Sequence, residues 1–214
     1  MTRKSAKTGA EEVPFLLKSV AGVTWLEDSR LSGFPWIVHA FSTRWLAGKP
    51  HRAAPTGLEA GARGASQAVV TRANHRPLFR QLAVQHFAAA SLKQVHSAEI
   101  WQVQHGATGK LEYLPAGYLL PPGASRPEHA GDALLTNEPG ILLTVRAADC
   151  LPVVIADPKR RVIACVHAGW RGLLKRIVEK SVGEMRRIYG CEPRDLLAAL
   201  GPSIRSCCYE VGPE

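Results

Sequence analysis

Nowhere in this chain of 214 residues do apolar residues run uninterrupted for the eighteen or so that a membrane-spanning helix requires, because charges and prolines break every apolar run. A helical membrane protein is therefore not expected, and the chain reads as soluble. The first residues, Met1 to Val13, carry Arg3, Lys4, Lys7, Glu11 and Glu12 but no apolar core, so they are not expected to be a secretory signal. Residues 1–20 read as a disordered leader. Cysteine is scarce and unpaired: five residues, with Cys207 and Cys208 adjacent and no regular spacing among the rest, do not describe the disulfide framework of a secreted domain. A reducing cytoplasm is the expected setting. Aromatics make up only 7 % of the chain and no helix-turn-helix, RNP, KH or zinc-finger pattern is found, so the formal charge of +9 does not by itself signal a nucleic-acid partner. The charge is lopsided, twelve Lys and Arg against five Asp and Glu in residues 1–80, and it reads as a solvated basic surface suited to anionic partners in general.

An apolar content of 46 % is enough for one globular domain with a substantial core, expected over residues 21–214. Trp36–Phe41 reads as a buried strand, Ala47–Ala68 as a long Gly/Ala/Pro-rich loop, and Asn74–Phe87 as a helix capped by Asn74. Short strands are expected at Leu92–Val95 and Glu99–Val103, then a second long loop from His105 to His129. Four β segments follow: Ala133–Thr136, Ile141–Val145, Leu151–Ile155 and Val162–Val166, the last two joined by an Asp157-Pro158 turn. Arg171–Ile188 repeats apolar residues at helical spacing and stops at Tyr189-Gly190, and Leu196–Leu200 reads as a last strand. Strands are mostly consecutive, which predicts an α+β domain rather than a strictly alternating parallel sheet.

Three predicted strand ends carry an imidazole or a thiol: His96, Cys150 and His167. Two nitrogens and one sulfur suit Zn²⁺, and three protein ligands leave a fourth position open, the pattern of a catalytic site. The separations match no compact ligand motif, so on spacing alone the metal set is the weaker reading, with Cys150 a buried small hydrophobe and His96 an ordinary imidazole. His167 leads into Ala168-Gly169-Trp170-Arg171-Gly172, which would set Gly169 and the Arg171 guanidinium at a helix N-terminus where an anion is favoured; a plain tight turn with a solvated Arg171 reads as well. Asp149, directly before Cys150, is a candidate general acid/base or a turn residue, and Arg44 is a candidate cation facing the same cleft or a surface residue.

Taken together, Phe41-Ser42-Thr43-Arg44, Gln94-Val95-His96, Gly131-Asp132-Ala133-Leu134-Leu135-Thr136, Ala147-Ala148-Asp149-Cys150-Leu151-Pro152, Val166-His167-Ala168-Gly169-Trp170-Arg171-Gly172, Gly201-Pro202-Ser203-Ile204 and Cys207-Cys208-Tyr209-Glu210-Val211-Gly212 resemble the YfiH/laccase-domain family, also called multicopper polyphenol oxidase-like or purine nucleoside phosphorylase proteins. The resemblance extends over about residues 36–214. It implies a compact single domain with mixed β-sheets and flanking helices, and it implies His96, Cys150 and His167 as metal ligands. The activities it implies are phosphorolysis of adenosine, inosine, guanosine and 5′-methylthioadenosine and deamination of adenosine. Purine nucleosides and inorganic phosphate would then be the partners, Zn²⁺ the cofactor with copper as the alternative ion, Asp149 a proton shuttle, and Arg44 and Arg171 the phosphate contacts. Relatives follow the FSTR segment with a Gly-Gly turn and an Asn-Leu-Gly motif, which Trp45-Leu46-Ala47-Gly48 replaces here, and they continue beyond the point matching Glu214 with an Arg-bearing segment that this chain is expected to lack.

Three rivals stand beside this reading. A copper phenol oxidase would need many closely spaced His ligands, and the eight His residues here include no His-x-His pair. A cysteine amide hydrolase editing a cell-wall precursor would use Cys150 as nucleophile and His167 as base. A non-catalytic module would bind a nucleoside or a protein without turnover. Oligomeric state is left open.

Overall fold

The computed structural model describes residues 15–46, 49–50, 75–116 and 129–210, and the side chains of 44–50 fall outside that description. Strands β1 (Phe15–Val20), β2 (Val23–Asp28), β3 (Phe41–Leu46) and β4 (Lys49–Pro50) form an antiparallel meander. A second sheet has six strands in the order β12-β10-β11-β8-β6-β7, where β6 is Ile100–His105, β7 Leu111–Ala116, β8 Ala133–Thr136, β10 Leu151–Asp157, β11 Val162–Ala168 and β12 Leu197–Leu200. Its pairs are antiparallel except β6 with β8, which makes the sheet mixed. Strands β5 (Ala88–Ala90) and β9 (Ile141–Leu143) pair in parallel as a third, two-stranded sheet. The helices are α1 over residues 75–81, α2 (Trp170–Leu174) and α3 (Ile177–Tyr189). The architecture is the expected α+β domain with mixed sheets.

The six-stranded sheet is covered on both faces, and its sequence shows why. In β11 alternate residues Val162, Ala164, Val166 and Ala168 join Ile177 and Met185 of α3 in one cluster, while Ile163 and Cys165 point to the other side. In β8 all four residues are buried: Ala133 and Leu135 face α3, and Leu134 packs with Trp101, Val103, Ile141 and Leu143. The first sheet is joined to the second through Leu31, Phe41, Ala156 and Ala199. Polar groups reinforce that joint. The buried Asp28 carboxylate accepts from Arg30 N–H at 2.9 Å, Leu31 N–H at 3.2 Å and Arg30 Nη2 at 2.7 Å. Arg30 Nη2 also donates to the Ala198 carbonyl at 2.8 Å, on β12. Asp28 N–H in turn donates to His39 Nε2 at 2.8 Å.

Several sequence expectations shift. The first strand of the FSTR region runs over Phe41–Leu46, and residues 36–40 are not strand. Residues 15–20, expected to belong to the leader, form β1; residues 1–14 lie outside the described residues. β1 carries no alternation that would betray it, since only Phe15 is even partly buried. Of the expected 47–68 loop, Lys49–Pro50 pairs with β3 and the remainder lies outside the described residues, as does the Asn74 cap. α1 stops at 81 because Ala83 takes a left-handed φ of 55° and Val84 N–H turns back to the Phe79 carbonyl, burying Val84 rather than extending the helix to Phe87. Residues 92–95 make only a bridge, Lys93 to Ala130, and the strand lies upstream at β5. The expected 105–129 loop contains β7, an edge strand whose Pro115 is tolerated because only one side of it is paired. The long C-terminal helix is two helices. Arg176 at φ 62° breaks it, and Leu173 and Leu174, read as part of the apolar stripe, are 46 % and 75 % exposed, so the stripe begins only at Ile177. The helix ends as expected at a left-handed Gly190.

Burial pushes the His39 imidazole below its ordinary pKa against the opposing pull of Glu27 and Asp28, and burial does the same to His75. The unfolded chain therefore takes up these protons first as pH falls below about 6.5, and folding stability declines from there through the lower folded values. Urea midpoints should drop between about pH 7 and pH 5.5, and His39→Gln, which keeps an acceptor for Asp28 N–H, should remove part of that slope while leaving the His75 part. An unchanged slope in this variant would place the loss elsewhere.

Candidate metal centre

The site is built around a carboxylate. Asp132 sits just before the fully buried β8, is itself 0 % exposed, and faces the turn that follows Lys93. Three successive backbone N–H groups converge on it: Val95 to Oδ2 at 3.3 Å, His96 to Oδ1 at 3.1 Å and Ser97 to Oδ2 at 2.7 Å. The Ser97 hydroxyl adds a fourth donor at 2.7 Å. Such convergence requires a turned backbone, and His96 supplies it with φ 55°, a conformation a non-glycine residue holds only when its surroundings enforce it. The fifth contact is to His167, whose Nδ1 lies 2.8 Å from Asp132 Oδ1. His167 is 3 % exposed near the end of β11, and its own N–H donates to the Asp132 carbonyl at 2.7 Å. With Nδ1 engaged by the carboxylate, Nε2 is the nitrogen left to meet a ligand.

Cys150 arrives from the other direction, on the loop entering β10. That loop is pinned by Gln94, whose amide donates to the Arg146 carbonyl at 2.7 Å and accepts from Arg146 N–H at 2.8 Å. The Cys150 sulfur lies 3.8 Å from His96 Nε2, the His96 and His167 rings are 4.9 Å apart between centroids, and the ligand atoms of all three residues fall within 4.8 Å of one another. Nitrogen and sulfur donors around a tetrahedral zinc stand roughly 3.3–3.6 Å apart, so closure by a few tenths of an ångström to about 1.5 Å would seat an ion. Among the described residues this is the one group of three or more His, Cys, Asp or Glu side chains that converges so.

Gly169 leaves the space. A Cβ there would lie 2.8 Å from His96 Cδ2 and 3.1 Å from the Cys150 sulfur, in the gap between the ligand groups. Its φ of −72° is open to any residue, so room and not backbone conformation makes the position glycine. The electrostatics match. Burial raises the Cys150 thiol above its ordinary pKa, and the Asp149 and Asp132 charges raise it further, an environment that disfavours a free thiolate and welcomes a cation. Burial alone would raise Asp132 too, but the bonds from His167, Ser97 and Val95 outweigh it and hold the carboxyl below its ordinary value.

The structure thus brings together His96, Cys150, His167 and Gly169, with Asp149 exposed beside Cys150. Arg171 is exposed in the first turn of α2, its guanidinium carbon 4.8 Å from the Trp170 ring centroid. Because α2 has only five residues, the helix-terminus field expected behind Arg171 is that of little more than one turn. Arg44 has its backbone on β3, and its side chain lies outside the described atoms. Sequence reasoning did not single out Asp132, Ser97 or Gln94. The available sign was a carboxylate placed directly before the apolar run Ala133-Leu134-Leu135, where an ionised side chain needs several partners to be tolerated.

Comparison with known proteins agrees with this architecture. The family model described as multi-copper polyphenol oxidoreductase laccase matches residues 38–214. A purine nucleoside phosphorylase from Bacteroides thetaiotaomicron is 41 % identical over 111 residues, covering 50 % of this chain and 41 % of that protein. Adenosine deaminase RL5, from an unknown prokaryotic organism, is 46 % identical over 83 residues, covering 39 % of this chain and 31 % of that protein. Among solved structures, YlmD from Geobacillus stearothermophilus superimposes with a TM-score of 0.66 at 26 % identity, over 92 % of this chain and 68 % of that one. The matched stretches span less than half the length of the two curated relatives.

Truncating Asp132 to Ala strands three backbone N–H groups, a hydroxyl and an imidazole, so Asp132→Ala should cost about 3–5 kcal/mol of folding stability by urea denaturation. Asp132→Asn keeps an acceptor oxygen and should cost less. Equal, small losses would mean that the carboxylate does not organise the turn.

Proposed function

Since the chain belongs to the multi-copper polyphenol oxidoreductase laccase family, we propose that it is a zinc-dependent purine nucleoside phosphorylase, taking adenosine, inosine, guanosine and 5′-methylthioadenosine, that also deaminates adenosine. The observation that carries this reading is the convergence of His96, Cys150 and His167 around the gap kept by Gly169, in a chain similar to proteins named for those two activities. Two imidazoles and one thiolate are a zinc set with an open position. When bound, the ion supplies Lewis acidity at the reacting purine or water.

The chain's own residues do the rest. The Asp132 carboxylate fixes the His167 tautomer and holds the His96 turn, so that both rings face the gap. In deamination water adds at purine C6 and ammonia leaves; to Asp149, exposed beside the Cys150 thiol, we assign taking the water proton and returning it to the departing nitrogen. In phosphorolysis a phosphate oxygen forms the bond to ribose C1′ as the bond to the base breaks, and Arg44 and Arg171 are the cations assigned to neutralise that phosphate. The cysteine-hydrolase alternative needs a free Cys150 thiolate, and burial with two flanking carboxylates pushes the other way. Cytoplasmic residence belongs to the same proposal, on five cysteines that are all free thiols; no described helix is long and apolar enough to cross a membrane.

Gly169→Ala should leave the urea midpoint nearly unchanged and lower Zn²⁺ affinity, measured by chelator competition, at least about tenfold. Unchanged affinity would remove the gap from the metal site. The activity itself is tested by chromatography of metal-quantified protein with adenosine and inosine, with and without inorganic phosphate. Free base that appears only with phosphate, together with inosine formed from adenosine in its absence, is the expected result. Activity that follows copper content rather than zinc, or that survives chelation and dies on thiol alkylation, would overturn the zinc reading, and no product from zinc-loaded protein would leave a non-catalytic binder.

A further inference from the structure

Of the four thiols outside the metal centre, two are exposed and serve nothing described so far. Cys207 and Cys208 are both exposed, in a turn over residues 206–208 closed by Cys208 N–H to the Arg205 carbonyl at 2.9 Å. Their sulfurs face each other at 3.3 Å. We propose that Cys207 and Cys208 are a redox-labile vicinal dithiol that closes to a disulfide by exchange with a low-molecular-weight disulfide. The thiolate of one cysteine attacks a sulfur of the small disulfide and releases one small thiolate. The neighbouring cysteine then attacks the protein sulfur of that mixed disulfide and expels the second. Two protein thiols are oxidised to one disulfide, one small disulfide is reduced to two thiols, and the protons go to solvent.

Geometry favours closure over stable adducts. The second sulfur already stands beside the first, so the intramolecular step needs the sulfurs to approach by a little over 1 Å to reach a bond length of about 2.05 Å. Geometry also makes the product easy to reverse. Adjacent Cα atoms are held about 3.8 Å apart across a trans peptide, short of the roughly 4.4–6.8 Å of ordinary disulfides, so the ring is strained and readily reduced. That is the character of a switch and not of a structural staple. Competition from other thiols is weak: Cys191 is buried, burial pushes Cys165 and Cys191 up to about 12, and Cys150 is only partly exposed. The location gives the pair something to act on. Ile204 N–H donates to the Asp149 carbonyl at 3.0 Å, so the segment carrying the dithiol hangs on the residue that precedes Cys150.

The test is intact mass and non-reducing peptide mapping of the full chain after incubation with oxidised glutathione. Wild type should lose the mass of two hydrogens, yield a single peptide with a Cys207–Cys208 bond, and regain its mass with mild thiol. Cys207→Ser and Cys208→Ser, both at exposed positions, should keep the wild-type urea midpoint and each gain one glutathione adduct instead. Stable adducts on the wild-type pair, a bond from either residue to Cys150, or the two-hydrogen loss persisting in both single variants would overturn the proposal.

Discussion

The buried carboxylate of Asp132 is the point on which three stretches of this chain depend. It accepts from the 95–97 turn, fixes the His167 ring, and through its own carbonyl holds the His167 backbone. An ionised group with no solvent exposure is tolerable only because five donors compensate it. The same requirement explains the left-handed backbone at His96, since three successive N–H groups cannot reach one carboxylate from an extended chain. The two histidines are thus placed by one polar network at the end of a sheet whose interior is mostly apolar.

Cys150 meets that network at His96, its sulfur 3.8 Å from Nε2, and its loop is tied in through the reciprocal amide bonds of Gln94 to Arg146. The histidine pair is set by buried charge, whereas the thiol rides on a loop at the surface, with Asp149 exposed beside it. The pocket they share carries net negative character from Asp132 and Asp149, which raises the thiol and favours an incoming cation. With the three ligand atoms within 4.8 Å of one another, seating an ion requires the donors to draw together from slightly wider spacings. Gly169 matters for the same reason: a single methyl group there would occupy the volume the donors surround.

The outer parts of the site are assembled differently. Arg171 stands on a five-residue helix split from α3 by the left-handed Arg176, and Arg44 lies on β3 of the other sheet. The Asp28–Arg30 link to Ala198 and the Leu31–Phe41 cluster hold that sheet against the six-stranded one. Any cooperation of the two cations on one substrate therefore depends on the packing between sheets and not on local sequence.

By itself the sequence determined the β-rich centre, because β8, β10 and β11 are dense in branched apolar residues, and it determined α3 from Ile177 to its glycine end, because a 3.6-residue stripe ending in Gly needs no tertiary help to be seen. It also marked His96, Cys150, His167 and Gly169 as residues whose chemistry could form a site. Whether they met was decided by the fold: His96 and Cys150, separated by 54 positions, approach only when the pairings of β6 with β8, β8 with β11 and β11 with β10 bring their ends together. The tertiary structure alone also decided β1, β7 and the break at Arg176. β1 and β7 are edge strands, β1 with only Phe15 partly buried and β7 with Pro115 breaking its pattern, and the third is set by where α3 begins to pack. The role of Asp132 belongs to the same class, since a carboxylate reveals its function only through the donors that distant segments bring to it.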